Sequence, residues 1–337
     1  MKVVVLGATG NVGTSLLQAL QESSSVDSIV GIARRAPLAR FAKTEWRQAD
    51  VSTDDLISHF RGADVVVDLA WAIQPSRDER LLYATNVQGT SRVLDAVARA
   101  EVPALVFGSS VGAYSRGPKD RRVDESWPVG GTPTSFYGRH KAICEQLLDR
   151  FEQQHPEVRV VRLRPGLVFK AEAATGIRRL FLGPLAPTFF LQPGRLPVLP
   201  LAPRLRFQAV HSLDVGRAYR AAIEKDVRGA FNIAAEPTLG PENLGHLLQT
   251  KVVEVPEQVL RAGAAASWRL RLQPTPEGWV DLALNVPLMD TSRAHDELAW
   301  EPLRGADSAL LELLEGMRRG EGLGTPPLAS GAGFMRS

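Results

Sequence analysis

The sequence predicts an α/β protein with a doubly wound parallel sheet and a smaller C-terminal substrate-binding region. Three features lead there. Short β-branched runs alternate with helical patterns, those runs are apolar throughout as in strands covered on both faces, and the first ends in a glycine-rich turn, "GATGNVG" (7–13), that opens a helix.

The elements follow in order. "KVVVLG" (2–7) reads as a strand, followed by a helix from Val12 to Glu22, a strand "SIVGIA" (28–33), a short helix over Asp54–Phe60 and a strand "DVVVDLA" (64–70). A long helix from Arg77 to Ala100, a strand "ALVFGSS" (104–110), a helix from Tyr137 to Gln153 and a strand "VRVVRLRP" (158–165) continue the alternation. Strands of this kind separated by helices form a parallel sheet covered on both sides. From Lys170 to Phe207 the periodicity gives way to Pro, Leu, Phe and Arg, which reads as loops and short helices outside the sheet and as a candidate substrate cap. Helices resume over Asp214–Lys225 and Glu242–Gln249, and residues 321–337 are expected to form a disordered tail.

Composition narrows the classes. With 44% hydrophobic and 23% charged residues, the chain is of ordinary globular type. Its 40 basic residues nearly balance 37 acidic ones and are scattered, so nucleic acid is not an expected partner. A single cysteine, Cys144, excludes an intramolecular disulfide and suits a reducing compartment. No histidine has a partner at ligand spacing, and no metal site is expected. No apolar run approaches the about 18 residues of a membrane span, and a strand from Lys2 leaves no room for a signal peptide. The expectation is a cytoplasmic protein that does not engage membranes.

Gly7 follows an apolar strand and Gly13 opens a helix, the context that a dinucleotide-binding turn requires. Glycine tolerates positive φ and lets the backbone approach a pyrophosphate, while the helix N-terminus adds free N–H groups and a favourable dipole. The alternative is a βα turn that binds nothing. On the first reading, residues 1–169 form a dinucleotide-binding domain of Rossmann type, and residues 170–320 a substrate-binding region interleaved with the last sheet elements.

The spacing GxxGxxG differs from the commoner GxGxxG, and "GATGNVG" resembles the turn of the extended short-chain dehydrogenase/reductase family, which includes the NAD-dependent epimerases and dehydratases. The resemblance implies that Gly7, Thr9, Gly10, Asn11, Val12 and Gly13 contact the cofactor. "ADV" (49–51) then offers Asp50, beside Val51, to the adenine amino group, and "DLAW" (68–71) lines pyrophosphate and ribose with Leu69, Ala70 and Trp71. "TNVQGT" (85–90) sets Asn86 in the long helix as family members do. Read without the family, Asp50 is a cap for the segment beginning at Thr53, and Asn86 a buried amide satisfied by backbone. "RLRPGLVF" (162–169) resembles the family's Arg-Pro turn, in which Pro165 to Val168 approach the nicotinamide. "FQAVHSLDVGRA" (207–218) and "DTSRAHDELAWEP" (290–302) resemble scaffold segments, so His211 is read as structural.

"YGRHK" gives Tyr137 and Lys141 at a spacing of four, on one face of a helix about a turn apart. The family places a catalytic hydroxyl four residues before the aromatic that ends "VFGSSVGAY"; counting back from Tyr114 gives Ser110, with Ser109 the competing choice. The chemistry accounts for the residue types. Moving hydride at a carbon that bears oxygen requires a proton to move at that oxygen, and a phenol with a pKa of about 10 needs nearby positive charge to serve. Lys141 supplies such charge and, by the resemblance, holds the nicotinamide ribose, while Ser110 donates a hydrogen bond to the substrate oxygen.

Val111 and Gly112 follow Ser110 where nucleotide-sugar dehydratases of the family carry an Asp-Glu pair, so dehydration is disfavoured. Net oxidoreduction of a carbonyl or alcohol and epimerisation of a nucleotide sugar use the same three residues. A nucleotide-bound regulator without activity is the other class; such proteins usually lose the Tyr or the Lys. The apolar stretch 170–207 suits a small apolar substrate, whereas Arg178, Arg179, Arg195, Arg204 and Arg206 form either a diphosphate clamp or a solvated basic rim. Family analogy suggests a homodimer through the long helices. For the cofactor, "SIVGIARRAP" has no acid after its strand to accept the adenosine ribose, and Arg34 and Arg35 stand there instead. Their planar forks suit a 2′-phosphate, so NADP is expected, with NAD possible; the alternative is two solvated loop residues.

Overall fold

A computed structural model describes residues 1–73, 77–181 and 188–329. Seven strands form the central sheet: β1 (Lys2–Leu6), β2 (Ser28–Ala33), β3 (Thr44–Gln48), β4 (Val65–Asp68), β5 (Ala104–Gly108), β6 (Arg159–Pro165) and β7 (Gly229–Ile233). They run in the order β7-β6-β5-β4-β1-β2-β3, and every neighbouring pair is parallel. The winding reverses between β1 and β4, and ligands of open α/β sheets bind beyond the carboxyl ends of strands at such a switch point.

The apolar strand sequences follow from two cores. Val3 and Val5 of β1 pack on one face with Leu16, Leu17 and Leu20 of α1 (Asn11–Gln21). Val4 and Leu6 pack on the other with Val93 and Val97 of α2 (Gly89–Arg99) and with Cys144 and Leu148 of α3 (Phe136–Gln154). Successive side chains point to opposite faces, and both faces are dry, so each position must be apolar. Helix α4 (Ser212–Glu224) lies beside α1, its Val215, Ala218 and Ala222 in the first core.

The two strands absent from the sequence reading are the sheet's edges. In β3, "TEWRQ" is at most half-buried, and an edge that is only partly covered carries no apolar run. In β7, "GAFNI" spends Asn232 on a buried hydrogen bond from the Tyr114 hydroxyl at 2.7 Å. The long helix read over 77–100 is an α-helix at Glu79–Tyr83, a π-helical turn at Ala84–Gln88 and then α2.

Within 170–207 the chain forms a helix at Ala174–Phe181, a short turn of 3-10 helix at Thr188–Leu191 and a strand, Val198–Leu201, that pairs with Lys251–Glu254 outside the central sheet; residues 182–187 of the cap lie outside the described ones. The expectation of a disordered tail from 321 needs correction. The Gly324 carbonyl accepts hydrogen bonds from Leu38 and Ala39, both at 2.9 Å, and Leu328 is buried. Apolar burial thus anchors the chain through 329; residues 330–337 lie outside the described ones. Among the described residues, no helix is long and apolar enough to cross a membrane.

Candidate functional site

The glycine turn is shaped by close backbone contact. Gly7 has φ of 69° and donates to Ile32 of β2 at 3.1 Å; a Cβ there would overlap the Leu69 carbonyl oxygen beyond β4. A Cβ on Gly13 would overlap the Gly7 carbonyl and the Ala8 backbone. Gly10 begins α1 without a side-chain cap, and no acid stands in the first turn, so the helix offers N–H groups and positive dipole to an anion. Thr9 is buried, Val12 packs on the core, and Asn11 Nδ2 donates to the Val168 carbonyl at 3.0 Å.

Lys170, read in the sequence only as the start of the cap stretch, lies buried behind this turn. Its Nζ donates to the Asn11 carbonyl at 3.0 Å, Thr14 Oγ1 at 2.6 Å and Ser15 Oγ at 3.1 Å, and burial holds its pKa down to about 8. Val168 lies in a strand, Leu167–Phe169, that follows β6 and pairs with Phe207–His211, and Pro165 is the last residue of β6. The Arg-Pro turn therefore reaches the start of α1.

At the ends of β2 and β3, Ala49 N–H donates to Ala33 at 3.2 Å, which draws the segments carrying Arg34, Arg35 and Asp50 together. Both arginines are exposed, and the Arg34 carbonyl accepts from Gln48 at 2.8 Å. Asp50 Oδ1 accepts from Ser52 N–H at 2.8 Å and from its hydroxyl at 2.6 Å, the local capping role, and Val51 is buried beside it. Asn86 is engaged by backbone, accepting from Ala72 N–H at 2.7 Å and donating to the Ala72 carbonyl at 3.0 Å. It fixes the segment that carries Leu69, Ala70 and Trp71. Asp68 accepts from Ala70 N–H at 3.0 Å, and burial, opposed by that bond and by the charge of Lys141, raises its pKa to about 6.

Ser110, Tyr137 and Lys141 come together at the end of β5. Ser110 Oγ accepts from Gly112 N–H at 3.0 Å and lies beside Tyr137; burial raises the phenol's pKa and the neighbouring Ser110 hydroxyl opposes the rise. Lys141, one turn further along α3, is buried, and burial lowers its pKa to about 8 against the opposing pull of Cys144, Asp68 and Glu145. Its Nζ donates to the Gly108 carbonyl, lies 3.4 Å from the Trp71 ring centroid and is 6.0 Å from that of Tyr137. Gly108 in turn abuts Leu69, which abuts Gly7, so the glycine turn and this cluster share one edge of the sheet.

Ser109 faces away. Its hydroxyl donates to Glu145 Oε1 at 2.5 Å, and Glu145 is clasped by Arg164 Nε at 2.8 Å and Arg162 Nη1 at 3.0 Å, all three charged groups being buried. His211 bonds Glu312 at 3.1 Å and accepts from Leu213 N–H at 3.2 Å, a structural placement. The sequence reading also missed Trp279, whose ring lies 5.4 Å from that of Tyr137. No local pattern marks it, because the contact joins distant segments.

A seven-stranded parallel sheet whose glycine turn and hydroxyl-phenol-lysine cluster share its carboxyl edge is the architecture of the Rossmann-type α/β proteins. Residues 3–234 match the family model described as the NAD dependent epimerase/dehydratase family, and the chain belongs to that family. It is 26% identical over 96% of its length to an uncharacterized protein of Mycobacterium tuberculosis and spans 31% of that relative. It is 25% identical over 50% of its length to the decarboxylating sterol-4-alpha-carboxylate 3-dehydrogenase of Saccharomyces cerevisiae, covering 51% of that chain. The chain thus spans a third to a half of these relatives. The structure of the Thermus thermophilus UDP-glucose 4-epimerase with NAD has the same fold, with a TM-score of 0.69 at 19% identity over 94% of this chain and 99% of the other.

Proposed function

We propose that this protein moves a hydride between a nicotinamide dinucleotide and a carbonyl or alcohol substrate, with Ser110, Tyr137 and Lys141 as its catalytic residues. One observation carries the reading: Tyr137 lies beside Ser110, one helical turn from a buried lysine, at the edge where the glycine turn opens. The glycine cradle, too tight for a Cβ and backed by an uncapped helix, fits a pyrophosphate. The cofactor, when bound, supplies or accepts the hydride. Tyr137 gives a proton to the substrate oxygen or takes one from it, and Ser110 donates a hydrogen bond to that oxygen. Lys141 Nζ, 6.0 Å from the Tyr137 ring centroid, brings a positive charge to the site, and such a charge favours phenolate. Gly10 to Gly13 cradle the pyrophosphate, Asp50 faces the adenine, and Arg34 and Arg35 favour NADP.

Epimerisation of a nucleotide sugar is the second reading, and the likeness to UDP-sugar epimerase structures favours it. Absorbance of reduced nicotinamide across a panel of carbonyls and alcohols, with both cofactors, tests the choice. Net turnover with an apolar carbonyl supports oxidoreduction. Conversion of UDP-glucose followed by NMR, with no net change in cofactor, overturns it. Tight cofactor binding without turnover of either class supports a regulator.

A further inference from the structure

We propose that Trp279 determines specificity: with Trp71 and Phe181 it walls the Tyr137 phenol with aromatic rings that select a substrate bearing an apolar ring at its reacting carbon. The inference rests on the reading of Tyr137 as the proton-transfer group. The Tyr137 ring contacts two indoles, Trp71 at 5.8 Å and 75° and Trp279 at 5.4 Å and 36°. Phe181 meets Trp279 edge-on at 5.3 Å. Neither indole is fully buried and Phe181 is 38% exposed, so the wall keeps aromatic surface open to a ligand beside the phenol. Contiguous exposed apolar surface marks interaction sites and ligand-binding grooves.

The wall is held rigidly. Trp279 is the second residue of a helix, Gly278–Asn285, and Gly278 abuts the backbone of Thr134 and Ser135, leaving no room for a Cβ. Ser135 caps α3, the helix that carries Tyr137, so the two aromatic residues sit on helix starts in backbone contact. Further along the same helix, Lys119 donates to the Ala283 carbonyl at 2.9 Å and Arg204 to that of Leu284 at 3.3 Å. A rigid aromatic face loses little entropy on binding, and a ring stacks on it with more contact than a mobile chain does.

The cations nearby do not favour a diphosphate instead. Arg204 also donates to the Gly117 carbonyl at 3.0 Å, Lys119 to that of Arg206 at 2.6 Å, and the Arg195 guanidinium lies over the Phe189 ring at 4.8 Å. Arg178 and Arg179 are likewise engaged. Arg204, Lys119 and Arg195 thus hold parts of the cap, the Arg206 side chain is exposed, and the rings against Tyr137 are aromatic.

The test uses the cofactor-loaded protein with 2-decalone and its open-chain counterpart of equal carbon number, 2-decanone, reading binding by ligand-observed NMR and turnover by nicotinamide absorbance. In the wild type the bicyclic ketone binds about tenfold tighter than the open chain, and Trp279→Ala removes that preference while Trp279→Phe keeps most of it. Tyr137→Phe abolishes turnover and leaves the preference intact. Equal binding of the two ketones to the wild type, or a preference unchanged in Trp279→Ala, overturns the proposal. So does UDP-glucose binding that displaces the bicyclic ketone and is insensitive to Trp279→Ala. A Trp279-dependent preference without turnover supports the wall and refutes hydride transfer to such ketones, which keeps the two failures distinct.

Discussion

Ser109 donates its hydroxyl to Glu145 at 2.5 Å, while its neighbour Ser110 is directed to Tyr137. Adjacent residues of an extended segment point to opposite sides, so only one of the pair faces the Tyr137 phenol. Tyr137→Phe is expected to lower turnover by about a hundred- to ten-thousandfold with cofactor binding retained. Ser110→Ala lowers it less, and Ser109→Ala acts on thermal stability with kcat largely kept. Steady-state kinetics beside melting curves check the order; a larger kcat loss in Ser109→Ala than in Ser110→Ala reverses the assignment.

Glu145 also makes a prediction about acid stability. Burial alone would raise its pKa, but hydrogen bonds and charge from Arg164, charge from Arg162 and the Ser109 bond hold it at about 2, against an ordinary 4.5. A folded pKa below the unfolded one stabilises the fold in full above the unfolded value, and that contribution disappears as pH falls through the folded one. Glu145→Gln leaves the buried Arg164 guanidinium without its counter-ion, while Arg162 keeps Asp149 and Glu152, at a cost of about 3–5 kcal/mol. Its unfolding free energy should also fall less steeply than the wild type's between about pH 4.5 and pH 2. Urea titrations across that range check this, and parallel pH profiles contradict it.

Gly112 supports Tyr137 by having no side chain. A Cβ there would lie 2.8 Å from Tyr137 Cε1 and 3.4 Å from Ser110 Oγ. Gly112→Ala therefore displaces the ring from Ser110, and a misplacement of this order costs up to about a hundredfold in rate. The melting temperature changes little, because a half-buried ring can shift toward solvent. Unchanged kcat in a folded Gly112→Ala protein would sink this account.

The double change Arg34→Ala with Arg35→Ala is expected to weaken NADP binding far more than NAD binding. One charged hydrogen bond to a 2′-phosphate contributes about 1.5–3 kcal/mol, which corresponds to about ten- to a hundredfold in affinity. The difference shrinks at high salt, since both side chains are exposed. Calorimetric titration with both cofactors decides it, and tighter binding of NAD to the unmodified protein refutes the preference.

The inner strands and the glycine turn were legible because their causes are local. Strands dry on both faces are apolar wherever no buried partner offsets a polar group, a tight βα turn must spend glycine, and two residues four apart on a helix share a face. The edge strands β3 and β7 escaped, since β3 is only partly covered and β7 spends a buried position on the polar Asn232. The sequence by itself determined the parallel sheet, the turn and the Tyr137–Lys141 spacing. Only the tertiary structure gives Ser109 and Ser110 different surroundings, because Glu145 reaches β5 from α3 and takes the Ser109 hydroxyl. It alone brought Lys170 behind the turn and Trp279 against Tyr137, because contacts between distant segments are set by how elements pack and leave no period in the chain.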